Sequence, residues 1–98
     1  MLEHELYERT GPDSFRLLPE SVVYPAHFPG WPVTPGVCLL RIVTEILYPG
    51  KLIAAARSIR FLTPVLPGDE LRIEKTEKGS ILLLRGETLC AKMTVTYV

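Results

Sequence analysis

His27 is followed by Phe28-Pro29-Gly30 and then by Trp31-Pro32-Val33-Thr34-Pro35-Gly36-Val37. An imidazole is the side chain best matched to moving a proton near neutral pH. From Ser21 to Pro35 prolines recur every three or four residues, which predicts an ordered loop able to hold that ring at a set distance from the next element. That element is a helix. Thr34 is its predicted N-cap and Pro35 the first helical residue, where a missing N–H costs nothing. The opening amides of a helix lack partners and carry the positive end of its dipole. An oxygen gaining negative charge beside Gly36 and Val37 would be stabilised, and Gly36 lets a ligand come close to the backbone. A base beside an oxyanion site is the equipment for removing a proton next to a thioester carbonyl. A histidine held in a proline loop for structural reasons alone is the other reading of the same residues.

These groups need elements to position them. The helix is predicted over Gly36 to Leu47, stopped by Tyr48-Pro49-Gly50. Val37, Leu39, Leu40, Ile42, Val43, Ile46 and Leu47 fall on nearly every side of it, the pattern of a buried helix that something must wrap. A hairpin is predicted from Leu2 to Thr10 and Phe15 to Leu18, turning at Gly11-Pro12-Asp13-Ser14. Further strands are predicted over Leu52 to Leu62, Glu70 to Glu77, Ser80 to Arg85 and Leu89 to Val98, with turns at residues 63–69, at Lys78-Gly79 and near Gly86-Glu87. Alternation is clean in LRIEKTEK and KMTVTYV, as in a sheet with one wet face. It breaks down in SILLLRG and LIAAA, which predicts strands covered on both faces. One helix laid on an antiparallel sheet is an α+β domain, here a single domain over residues 1–98.

Composition excludes several classes. Eleven basic and eleven acidic residues cancel, so there is no basic stripe for nucleic acid and no polybasic membrane patch. No apolar run reaches the roughly 18 residues of a membrane span, and MLEHELYERTGPD reads as neither signal nor transit peptide. Cys38 and Cys90 are too few for a disulfide framework or a zinc site, so two buried, reduced thiols and a cytoplasmic protein are expected. A domain this small buries a limited share of its surface, and oligomerisation is the usual remedy. Lys51, Arg57, Arg60 and Lys92 form either a solvated face or a dock for an acidic carrier protein, and His4 is expected to be solvated.

HFPGWPVTPGV resembles the signature of the 3-hydroxyacyl-acyl-carrier-protein dehydratases, and IRFLTPVLPGDELRIE resembles their second signature, in the expected order. The likeness runs from about Phe15 to Val98. It implies the hot-dog fold, an antiparallel sheet wrapped around one long central helix, assembled as dimers or dimers of dimers. By the same resemblance His27 is the catalytic histidine, the Val33 carbonyl orients its ring, and the Gly36 and Val37 amides are the oxyanion donors. Phe28, Pro29, Gly30 and Trp31 lie against the substrate, with Trp31 closing the pocket mouth or packing on a neighbouring subunit. The substrate is a 3-hydroxyacyl chain on the phosphopantetheine arm of acyl carrier protein. Loss of water gives a trans-2-enoyl thioester in fatty-acid or related acyl biosynthesis, without metal or redox cofactor.

One position departs from the family pattern. Five residues after the last motif glycine the family has a glutamate or aspartate that protonates the leaving hydroxyl; here it is Arg41. A guanidinium with a pKa above about 12 is a poor proton donor at neutral pH. Glu45 shares a helix face with Arg41 and is either its ion-pair partner or a relocated acid, one turn of about 5.4 Å away. In the family the histidine of one subunit meets the acid of the other, so pairing with a paralogue that keeps its acid is a third reading. Dehydration therefore stands beside two alternatives, a non-catalytic or half-catalytic subunit that binds acyl carriers and an acyl thioesterase on the same fold.

Overall fold

Helix α1 spans Gly36–Leu47 in the computed structural model, which describes residues 2–21 and 33–98 of the chain. His27, Phe28, Pro29, Gly30 and Trp31, with most of the proline-spaced loop, lie outside the described residues. The helix ends where Tyr48 turns away, its N–H still donating to the Thr44 carbonyl at 2.9 Å, and Gly50 adopts φ 80° to release the chain. The cap differs from expectation. Pro35, extended at ψ 141°, is the N-cap and no side chain caps the helix. Thr34 is held one residue further out because its N–H donates to the Val65 carbonyl at 2.8 Å.

Strands β1 (Tyr7–Gly11) and β2 (Ser14–Leu17) form the first hairpin, followed beyond α1 by β3 (Ile53–Phe61), β4 (Glu70–Lys75), β5 (Ile81–Arg85) and β6 (Thr88–Tyr97). All pair antiparallel in the order β1-β2-β4-β5-β6-β3, so β1 and β3 are the edges. The tight turns at Gly79 (φ 86°) and Gly86 (φ 61°) use the left-handed backbone that glycine adopts freely. The hairpin starts later than predicted. Residues 2–6 make a turn instead of strand, with the Leu6 N–H on the Leu2 carbonyl at 2.8 Å, and this turn buries Leu6.

The core lies between one face of the sheet and one face of α1. Leu39, Ile42, Val43 and Ile46 cluster with Phe15, Leu17, Leu71, Ile73, Ile81, Leu83, Ala91 and Met93. Fully burying an aliphatic side chain of this kind contributes about 1.5–3 kcal/mol. In β4 and β6 the expected alternation holds: Leu71, Ile73 and Met93 point inward while Arg72, Glu74 and Lys92 face solvent.

Two expectations of complete burial are corrected. The helix is not wrapped on all sides, since Val37 is 70% exposed. Nor is LIAAA covered: Leu52 to Ala56 are exposed along edge strand β3. The physical reason is shared. A six-stranded sheet from one chain covers one side of the helix, and the apolar residues in excess of that side remain outside.

Candidate active site

Helix α1 starts inside a cleft of about 460 Å³ lined by Val33, Pro35, Gly36, Phe61 and the segment Leu62 to Val65. The cleft joins the two sequence motifs, and the Thr34–Val65 hydrogen bond ties them together. Pro35 has no amide, and the Cys38 and Leu39 N–H groups both donate to its carbonyl, at 3.0 and 3.3 Å. Among the described residues, the Gly36 and Val37 amides find no backbone acceptor. The opening amides of a helix have no partner within the helix itself. A Cβ at Gly36 would run into the far edge of the Phe61 ring, so a larger residue there requires that half-exposed ring to move.

The far wall of the cleft is stapled by an ion pair that sequence reasoning missed. Arg85 donates to Asp69 Oδ2 at 2.7 Å and to the Pro64 carbonyl at 3.2 Å, and the Leu66 N–H donates to Asp69 Oδ2 at 2.8 Å. The hydrogen bond and charge of Asp69 push the guanidinium of Arg85 up. The Asp in the Pro67-Gly68-Asp69 turn was the available signal; its partner, 16 residues away, left none.

Arg41 sits on the outward face of α1, 60% exposed, with Nε 3.4 Å from Glu45 Oε2. The ion-pair reading of these residues is therefore the one observed. Glu45 is only 10% exposed and has further partners. Both of its oxygens accept from the Leu2 N–H at 2.9 Å, and Oε1 accepts from the Tyr7 hydroxyl at 3.0 Å. Burial, then the hydrogen bond and charge of Glu45, push the Tyr7 phenol well above its usual 10. Glu45 thus anchors the first turn of the chain to the central helix, a role nothing near it in sequence announces. Cys38, half-buried on the helix, has its thiol pushed up by burial, with Arg41 opposing.

A second opening, about 490 Å³, runs along the outward helix face between Val37, Leu40, Arg41 and the start of β3 at Leu52 and Ile53. Of the sequence-predicted site residues, the structure brings Val33, Gly36 and Val37 to the helix start. It sets Arg41 and Glu45 further along the outward face. Among the described residues no cluster of His, Cys, Asp and Glu could hold a metal ion, and no helix is long and apolar enough to cross a membrane.

Known proteins resemble this chain in sequence and in fold. The profile of the ApeI-like family, described as ApeI dehydratase, matches residues 8–89. The 3-hydroxyacyl-[acyl-carrier-protein] dehydratase FabZ of Desulforamulus reducens is 37% identical over 86 residues, which cover 76% of this chain and 57% of that protein. FabZ of Klebsiella pneumoniae is 33% identical over 89 residues, 68% of this chain and 59% of the relative. The chain therefore spans little more than half the length of these relatives. Among solved structures, the dehydratase heterocomplex ApeI:P from Xenorhabdus doucetiae superposes with a TM-score of 0.62 at 19% identity, over 93% of this chain and 92% of that one. An uncharacterized protein from Erwinia carotovora subsp. atroseptica gives 0.62 at 23% identity, over 94% and 89%. These likenesses establish the α+β hot-dog fold.

Proposed function

The chain belongs to the ApeI-like dehydratase family, and we propose that it is one half of a paired hot-dog dehydratase acting on 3-hydroxyacyl thioesters of acyl carrier protein. His27 takes the proton from carbon two. The Gly36 and Val37 amides hold the thioester oxygen as it gains charge, with the Val33 carbonyl orienting the imidazole. The hydroxyl on carbon three leaves as water on a proton supplied by a carboxylic acid, and a trans-2-enoyl thioester remains. Phe28, Pro29, Gly30 and Trp31 flank the acyl thioester, which the phosphopantetheine arm delivers without metal or redox cofactor.

The observation that carries the paired reading is the state of the helix carboxylate. Arg41 occupies the family's acid position and Glu45, the nearest carboxylate, is engaged by Leu2, Tyr7 and Arg41. The acid then comes from a second hot-dog subunit. The ApeI:P heterocomplex, a structural neighbour by its fold, supports such pairing. A thioesterase needs a carboxylate or polar group positioning water, and this helix face presents none that is unengaged.

The test uses 3-hydroxyacyl carrier-protein thioesters, with water loss followed by mass spectrometry. The chain alone should bind without turnover. Turnover should appear on mixing with a family subunit that keeps its acid, and should vanish with His27→Ala in this chain. Full dehydration by the chain alone would remove the half-site reading, and release of free acid would point to a thioesterase.

A further inference from the structure

Phe61 is the last residue of β3, and hydrogen bonds fix the backbone around it. It pairs with Ala91 across the β3–β6 ladder, and the two residues that follow, Leu62 and Thr63, both donate to the Cys90 carbonyl, at 2.8 and 3.2 Å. Alternation along the strand puts its ring on the same side of the sheet as Ile59, which packs on the core. At the end of the strand that side faces the start of α1. There the ring meets backbone: a Cβ on Gly36 would stand 2.5 Å from its Cε2 and 3.0 Å from its Cε1. Glycine is what lets the ring lie flush against the helix.

The ring is 52% exposed, so part of it rests on Gly36 and lines the cleft while the remainder is open. What lies under it is chemically particular. Among the described residues the Gly36 and Val37 amides find no backbone acceptor. Such donors hold a charged oxygen best where water is kept off, because a hydrogen bond strengthens as the local dielectric falls. The rest of the cleft is mostly apolar, and its two threonines are engaged. The Thr34 N–H donates to the Val65 carbonyl at 2.8 Å and the Thr63 hydroxyl to the Leu89 carbonyl at 3.3 Å.

We infer that Phe61 is a positioning residue for the dehydration, its ring keeping water from the opening amides of α1 so that the thioester oxygen meets dry donors. The inference rests on the reading of Gly36 and Val37 as oxyanion donors given above. The oxygen carries more charge in the transition state than in the bound thioester, so the ring acts on kcat more than on KM.

The experiment has two arms that fail separately. Circular dichroism melts first establish that Phe61→Ala and Phe61→Leu fold. Should Phe61→Ala not fold, Phe61→Val, which keeps a strand-forming side chain too short to cover Gly36, takes its place. In the chain by itself, hydrogen exchange followed by NMR compares the Gly36 and Val37 amides with those of Ile42 and Val43, buried in the middle of α1. Phe61→Ala should speed exchange of the first two about tenfold and leave the other two unchanged, and Phe61→Leu should recover most of the protection. An equal rise in all four would show that Phe61 only stabilises the fold, and no rise at Gly36 and Val37 would show that it shields nothing; either overturns the inference. In the paired assay with 3-hydroxyacyl carrier-protein thioesters, Phe61→Ala in this chain should lower kcat about tenfold with KM within about twofold of wild type, and Phe61→Leu should restore most of the rate. An unchanged kcat, or a loss confined to KM, would overturn the role in catalysis. Absence of turnover in the wild-type pair fails the dehydratase reading itself, and the exchange arm then decides the shielding alone.

Discussion

Glu45→Gln separates a carboxylate that builds the fold from one that does chemistry. In the structure Glu45 receives the Leu2 amide at 2.9 Å on each oxygen, the Tyr7 hydroxyl at 3.0 Å and Arg41 Nε at 3.4 Å. Hydrogen bonds to a charged group are worth about 1.5–3 kcal/mol each, and an i,i+4 pair with an exposed arginine adds about 0.3–0.5 kcal/mol. Glutamine keeps one acceptor oxygen, loses the charge and turns an amide NH2 toward donors that the second carboxylate oxygen had accepted. The net loss comes to about 1–2 kcal/mol, or a fall in melting temperature of roughly 4–16 °C for a domain of this size. Glu45→Ala, which leaves the Leu2 amide and the Tyr7 hydroxyl without their acceptor, should cost about 2–4 kcal/mol. Denaturant melts of Glu45→Gln, Tyr7→Phe and the double variant measure the coupling directly, expected at about 0.5–2 kcal/mol. Hydrogen exchange should show the amides of residues 2–6 opening faster in Glu45→Gln. If Glu45→Gln melts with wild type and shows no coupling to Tyr7, yet abolishes turnover in the paired assay, the anchoring role is wrong and Glu45 is an acid after all.

Tyr7 makes a prediction about alkaline pH. Its folded-state phenol is raised above the unfolded value near 10, so the folded protein holds a proton that the unfolded chain has released. This contribution is complete below pH 10 and is lost as pH rises beyond it. Stability should decline from about pH 10 upward, less steeply in Tyr7→Phe, and ultraviolet titration should show a late tyrosine phase that this substitution removes. Asp69→Ala breaks the clasp on the cleft wall, removing the acceptor for the Leu66 amide and for Arg85. With Arg85 and Asp69 part-exposed at 35% and 20%, the expected cost in a thermal melt is about 1–2 kcal/mol. Exchange of the amides in residues 63–69 should rise with it, and an unchanged loop would refute the staple.

The elements were legible because local chemistry specifies them. Pro35-Gly36 opens the helix and Tyr48-Pro49-Gly50 closes it, so the range Gly36–Leu47 comes from residues in immediate contact along the chain. The turns at Lys78-Gly79 and Gly86-Glu87 and the period of two in β4 and β6 are local in the same sense. Where sequence and structure part, a distant partner is responsible. Thr34 is displaced from the cap by the Val65 carbonyl, and the strand expected from Leu2 gives way to a turn because Glu45 captures the Leu2 amide. The spacing of Arg41 and Glu45 announced their pair; the Tyr7 and Leu2 bonds to the same carboxylate span 38 and 43 residues and have no local signature.

By itself, then, the sequence determined the α+β class, the limits of the central helix and the arginine on it at position 41. Hydrogen bonding and periodicity within a few residues decide those features. Only the tertiary structure decided the strand order, the engagement of Glu45 and the exposure of α1's outer face with β3. Those depend on which distant segments meet, and on how much of a helix six strands from one chain can cover.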